Sequence, residues 1–231
     1  KCGIRFGPPH RFDFSYEHIV KSVEGSLTRL RTDYLDVLLL HRPDPLVEPE
    51  EVARAFDELK SAGKVRWFGV SNHTAAQMEL LGKYLNQPIV VNQVEFNLIH
   101  THLLDEGILF NQNNPRLTRN AGVIEYCRLH NIALQAWAPL ANGWVTGHSR
   151  QNAPEYFSAT AELVAQMALE KGVHPEAILI AWILRHPAHI QPLPGTTNPE
   201  RLLAACEAED INLTREEWYR LFSVGRGEAM P

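Results

Sequence analysis

YLDVLLLHRPDP, residues 34–45, and GKVRWFGVSNH, residues 63–73, are the two stretches whose reading decides the fold. The first is a short, almost wholly apolar run from Tyr34 to Leu40 that ends on His41. The second runs from Val65 to Val70 into Ser71 and Asn72. A brief continuous apolar run is the pattern of a strand buried on both faces of a parallel sheet, and here polar side chains gather where each run stops. Between them, Glu48 to Ala62 carries apolar residues at helical spacing and ends near Gly63. The unit therefore reads strand, helix, strand, the crossover that parallel neighbours require.

The same alternation extends in both directions. Upstream, Ile19, Val20, Val23, Leu27 and Leu30 recur at helical spacing over Tyr16–Leu30, with Ser15 as N-cap. Downstream, a helix over Thr74–Leu85 leads to a strand over Ile89–Glu95. A long polar loop with His100, His102 and Asn111 to Asn114 precedes a helix around Gly122–His130. A strand over Ile132–Trp137, a loop from Ala138 to Ser158, helices around Ala159–Lys171 and Glu176–Arg185, and a strand over Ile190–Leu193 follow. Helices over Pro199–Ala208 and Arg215–Val224 close the chain. Alternating buried strands and amphipathic helices without a composition break predict one α/β domain over residues 1–231. We count strands four to eight of a (β/α)8 TIM barrel, with KCGI at Lys1–Ile4 as the end of strand three, so the barrel is expected to be truncated at its N-terminus. A doubly wound sheet is the competing architecture. It would usually open with a glycine-rich phosphate turn, and no GxGxxG is present.

The bulk properties narrow the class. At 231 residues and 45% hydrophobic, the chain is long enough for a substantial core. A net charge of -5 without a basic stripe argues against nucleic acid as a partner. No apolar stretch is long enough to span a bilayer and no secretory leader pattern opens the chain, so the expectation is no membrane and a cytoplasmic setting. Cys2, Cys127 and Cys206 are far apart, lack CxxC spacing and read as reduced thiols.

Five blocks, LLLHRPDP from Leu38, GKVRWFGVSNH from Gly63, NQVEFN from Asn92, QAWAPLANG from Gln135 and PLPGTTNPERL from Pro192, carry a family resemblance. Together, in this order and at the ends of successive strands, they resemble the aldo-keto reductases, most closely the bacterial YdhF-like oxidoreductases. Alone, each would be weak. The resemblance implies reduction of aldehydes or ketones to alcohols with NADPH, by an Asp, Tyr, Lys and His tetrad at the C-terminal mouth of the barrel. Lys1 matches the family lysine and His41 the histidine. The Asp and Tyr belong after strand two, and two βα units plus most of strand three would place roughly 70 residues before Lys1.

Chemistry accounts for those residue types. As hydride reaches the carbonyl carbon, the oxygen gains negative charge that must be stabilised and then protonated. A phenol with a pKa of about 10 is a poor acid at neutral pH, so an adjacent ammonium such as Lys1 favours the phenolate it leaves behind. His41 orients the substrate oxygen through a hydrogen bond. The resemblance also implies that Ser71, Asn72 and Gln93 hold the nicotinamide carboxamide, which needs both donors and acceptors. Trp137, where the family often has Tyr, matches the aromatic that stacks on the ring. Ala138, Leu140, Asn142 and Gly143 lie where backbone N–H groups cover the pyrophosphate. Thr196 and Thr197 give backbone N–H and hydroxyl donors at a helix N-terminus, the expected 2′-phosphate site, and Arg201 clamps that phosphate. Gly195 stands where a lysine is frequent, and Ala204 and Ala205 where polar residues usually touch the adenine. The substrate partner is a small carbonyl compound, and no oligomeric state follows from the sequence.

Other readings compete. His100 and His102 suggest metal ligation, against the simpler reading of a solvated loop; no third ligand has a convincing spacing, so no metal is expected. His41 with Asp44 suggests a metal-dependent hydrolase, although Pro43 and Pro45 make the pair a rigid turn. Relatives such as potassium-channel β subunits raise a cofactor-binding regulatory subunit as the alternative function. An inactive fragment of the same fold is another.

Overall fold

The computed structural model describes residues 1–109, 122–147 and 157–228. In chain order the elements are β1 (Ile4–Arg5), β2 (Arg11–Phe12), α1 (Tyr16–Leu30), β3 (Leu35–Leu40), α2 (Pro49–Ser61), β4 (Val65–Ser71), α3 (Ala75–Tyr84) and β5 (Ile89–Glu95). They continue with α4 (His102–Ile108), α5 (Val123–Leu129), β6 (Ala133–Trp137), α6 (Ser158–Lys171), α7 (Pro175–Leu184), β7 (Gln191–Leu193), α8 (Pro199–Cys206) and α9 (Arg215–Arg226). Short 3-10 turns occupy Ala141–Gly143 and Glu207–Asp210. The chain divides into two compact units, Lys1–Val94 with Glu125–Ala133, and Glu95–Ile124 with Leu134–Pro231.

In the first unit, β3, β4 and β5 are parallel and in chain order, with Leu40 beside Val70 and Ser71 beside Gln93. The Ser15 side chain accepts from His18 N, capping α1 as its sequence predicts. The apolar stripe Ile19, Val23 and Leu27 of α1 is buried, and α1 packs against α2. Phe56 of α2 stacks on Phe68 of β4 with centroids 4.0 Å apart. Gly69 explains how closely β4 runs to β5. A Cβ there would lie 2.5 Å from Val91 Cγ1 and 2.6 Å from Val91 O, and the register shifts at this point, between Phe68 and Val70.

Two details depart from the expected pattern. The prediction that β3 is buried on both faces holds for Leu38, Leu39 and Leu40, whereas Asp36 and Val37 are exposed. Among the described residues of this unit, the side of β3 away from β4 is met by the bridge from Cys2 to Leu40, which covers its C-terminal end alone. The antiparallel hairpin β1–β2, with Ile4 opposite Phe12, also has no counterpart in the sequence reading, because two-residue strands are too short to show alternation.

In the second unit, α7 is apolar all round and buried from Glu176 to Ile183, as a core helix should be. Trp182 stacks on Trp218 of α9 at 5.2 Å, and each indole donates to the other residue's carbonyl, at 3.3 and 3.0 Å. β6 and β7 are parallel, with Trp137 beside Leu193. Part of the expected polar loop is the helix α4, tied to α9 by the ion pair of Arg226 with Asp105 (2.5 Å). Its seven residues are too few for a periodic stripe, which is why the sequence does not announce it. Asn111 to Asn114 lie outside the described residues.

Candidate active site

The first unit gathers five of the predicted side chains where β3, β4 and β5 end. Cys2 N donates to Leu39 O at 3.0 Å and His41 N to Cys2 O at 2.9 Å, so Lys1 is carried alongside the end of β3 next to His41. The Lys1 ammonium donates to Gln93 Oε1. Its pKa is lowered, first by burial and then by the Arg42 charge. His41 is half-buried, and its pKa is lowered first by burial and then by the Lys1 and Arg42 side chains. With its pKa below the ordinary value of 6.5, the imidazole is neutral at neutral pH, and one ring N–H is a donor.

Ser71, Asn72 and Gln93 are fixed relative to one another by the strand ladder. Ser71 Oγ donates to Gln93 O at 2.8 Å, and Asn72 N donates to the same carbonyl at 2.9 Å. Asn72 adopts a left-handed φ of 60°, a conformation asparagine tolerates better than most residues. Its amide donates to Ser71 Oγ at 2.9 Å and reaches His41 O at 3.4 Å. The result is a rigid turn beside two carboxamide side chains, those of Asn72 and Gln93, whose donors and acceptors fit a planar primary amide, while the buried Ser71 hydroxyl has already given its proton to Gln93 O.

Behind this turn stand two residues that the sequence reading did not single out. His73 is buried, and burial pulls its pKa down to about 4, so it is neutral; its Nδ1 lies 2.9 Å from Ser71 O. Asn92, fully buried in β5, donates to His73 O at 2.9 Å. The available signal was an amide and an imidazole within or beside otherwise apolar strands, in the blocks NQVEFN and GVSNH.

The second unit supplies the other predicted contacts. Trp137 ends β6, and Ala138 and Ala141 follow with left-handed φ values of 51° and 49°. Such a conformation costs a β-carbon residue roughly 1–2 kcal/mol. The buried Asn97 helps hold it, donating to Ala138 O at 3.1 Å while its Oδ1 accepts from Ile99 N at 3.1 Å. Leu140 and the exposed Asn142 lie in this turn, but Gly143 N is already donated to Leu140 O at 2.9 Å. Gly143 therefore does not offer that N–H to a ligand.

At α8, Asn198 is the N-cap, accepting from Glu200 N at 2.8 Å and Arg201 N at 3.4 Å. Thr196 Oγ1 accepts from Asn198 N at 3.1 Å. These internal bonds take up the N–H groups of Asn198, Glu200 and Arg201, so the donors that fit a phosphate are those of Thr196 and Thr197, backbone and hydroxyl, together with the exposed Arg201 guanidinium. A Cβ at the exposed Gly195 would meet open space. Ala204 and Ala205, which stand where the resemblance has polar residues, are buried as α8 packs on α7.

The metal readings meet different arrangements. Asp44 is buried, and its carboxylate accepts from Phe14 N and Leu46 N, both at 2.9 Å, so it holds the HRPDP turn. The His100 and His102 rings pack edge to face at 4.3 Å, and His100 faces Glu95 at 3.8 Å. Among the described residues no group of three His, Cys, Asp or Glu side chains is arranged to hold a metal ion, and no helix is long and apolar enough to cross a membrane. Cys2, Cys127 and Cys206 are free thiols, and burial pushes the first two up to about 12.

Comparison with known proteins brings these observations together. Residues 1–226 match the sequence model described as the aldo/keto reductase family. The chain is 36% identical over 239 residues to the uncharacterized oxidoreductase YcsN of Bacillus subtilis, covering 100% of this chain and 73% of that relative. It is 38% identical over 216 residues to oxidoreductase YdhF of Escherichia coli, covering 93% of this chain and 65% of YdhF. Among solved structures it is similar to the thermostable aldo-keto reductase Tm1743, crystallised with the inhibitor epalrestat. The TM-score is 0.72 at 27% identity, over 91% of this chain and 67% of that one. The chain thus spans between about two thirds and three quarters of the length of these relatives.

Proposed function

The chain belongs to the aldo/keto reductase family, whose fold is the (β/α)8 barrel, and we propose that its active site reduces aldehydes or ketones to alcohols with NADPH. The observation that carries this reading is the meeting of Lys1, His41, Ser71, Asn72 and Gln93 at the ends of three parallel strands, the end of a barrel where active sites sit.

Within this reading each side chain has a separate task. Neutral His41 donates a ring N–H to the substrate oxygen and so sets the angle at which the carbonyl presents its carbon. Lys1 adds positive charge beside the position where that oxygen becomes negative. In the first unit Ser71, Asn72 and Gln93 would hold the carboxamide of the nicotinamide, and in the second Trp137 is the aromatic that would suit a nicotinamide ring. Ala138, Leu140 and Asn142 line the pyrophosphate. When bound, the reduced nicotinamide supplies the hydride.

The preference for NADPH over NADH rests on Thr196, Thr197 and Arg201, whose hydroxyls and guanidinium suit a phosphate monoester. Gly195 contributes through its backbone. The substrate is a small carbonyl compound, and the setting is cytoplasmic. A purely regulatory, cofactor-binding role is less favoured, since the relatives at over a third identity are oxidoreductases. Oxidation of NADPH that depends on added aldehyde tests the proposal: steady turnover supports it, and NADPH binding without turnover favours the regulatory role.

A further inference from the structure

Asn92 occupies the centre of β5 with no exposed surface, in a position whose strand neighbours Val91 and Val94 are apolar and buried. Its Nδ2 donates to His73 O at 2.9 Å, its amide also contacts the Cys127 thiol, and among the described residues its Oδ1 has no hydrogen-bond partner. A half-satisfied buried amide is costly to a fold, and an aliphatic side chain of the same size would fill the space without that cost. The bond it makes is specific, however. His73 follows directly on Asn72, the residue held at a φ of 60°, and the His73 ring closes back on Ser71 O at 2.9 Å.

The geometry points to Asn92 as a positioning residue for the nicotinamide end of the cofactor, acting through His73 on the Ser71–Asn72 turn. Three ties fix that turn to β5. The Ser71 hydroxyl and the Asn72 N–H both go to Gln93 O, and the Asn92 amide goes to His73 O. The first two set where the turn begins. The third sets where it leaves, and therefore how the Asn72 carboxamide is aimed. Without it, His73 O is left buried and unpaired, and the turn gains freedom that a bound carboxamide must then remove. The effect is expected at the nicotinamide half, because the bond of Asn92 runs to the turn that carries Ser71 and Asn72.

This inference rests on the proposed cofactor reading, and its test separates the two. Kd values for NADPH and for adenosine 2′,5′-bisphosphate, which lacks the nicotinamide, would be measured by calorimetry on the intact protein and on Asn92→Leu. Asn92→Ser, smaller and polar, is the second variant should the first fold poorly. We expect the NADPH Kd to rise about tenfold in both variants while the bisphosphate Kd stays within about twofold. KM for NADPH should rise by more than kcat falls. Unchanged NADPH binding, or equal loss of both ligands, overturns the positioning role. Wild-type protein that binds neither ligand overturns the cofactor reading, and this inference with it.

Discussion

Ser71 gives its hydroxyl proton to the main-chain carbonyl of Gln93 at 2.8 Å, so two residues 22 positions apart in sequence form one rigid unit. The Ser71 side chain cannot shift without giving up this bond to β5. Placing ligand-binding side chains on a ladder rather than on free loops lowers the ordering cost of binding.

His41→Ala tests the orienting role. Removal of one preorganised donor to a developing oxyanion typically lowers kcat by about a hundredfold or more. The expected result is a loss of that size with an aldehyde substrate and an NADPH Kd changed by less than about threefold. Since burial and neighbouring cations lower the pKa of the half-buried His41, any fall in rate on acidification should be centred below 6.5, the ordinary histidine value. A decline centred at or above that value would show that His41 is not the neutral donor.

Arg201 and Gly195 are where the proposed preference for NADPH is tested. Arg201→Ala should weaken NADPH at least about tenfold and NADH hardly at all, because a guanidinium bound to phosphate has nothing to grip in NADH. Gly195→Lys should act in reverse, since open space surrounds the position and an added ammonium would lie near the same site. Measured Kd ratios that do not move in either variant would detach α8 from the 2′-phosphate.

Gly69→Ala probes the close passage of β4 over Val91. A methyl group 2.5 Å from Val91 Cγ1 and 2.7 Å from Leu39 Cδ2 forces the strands apart. Overpacking of this kind costs about 1–3 kcal/mol, so denaturant melts should show that loss. An unchanged midpoint would mean that the strands separate freely at this point.

The ends of the strands, the Ser15 cap and the strand-helix alternation were legible because each depends on local pattern. His41, Ser71 and Asn72 stand out as polar residues immediately after apolar runs, whereas Gln93, and a role for any of the four, comes from the family resemblance of their blocks. What stayed hidden depends on tertiary contact. Asn92 and His73 look like ordinary members of their blocks until their bond is seen. Exposure of Val37 depends on what packs over its face of β3, and the engagement of Gly143 N follows from the turn's geometry. No periodicity encodes either.

His73 links stability to pH. Its folded pKa of about 4 lies below the ordinary 6.5, so the unfolded chain binds the proton more readily. Its contribution is therefore fully present above pH 6.5 and is lost as pH falls from there toward about 4. The His73→Gln variant, which does not titrate, should show a shallower fall in unfolding free energy across that window than the wild type. Parallel curves would mean that His73 is not the buried neutral group described.

The most direct measurement of the central claim is transfer of label. NADPH deuterated at the hydride-donating carbon would be incubated with the intact protein and an aldehyde, and the alcohol analysed by mass spectrometry. Our account predicts one deuterium on the former carbonyl carbon, with alcohol and NADP⁺ formed in equal amounts and both lost together in His41→Ala. Bound but unreacted NADPH, with no labelled alcohol, would contradict it.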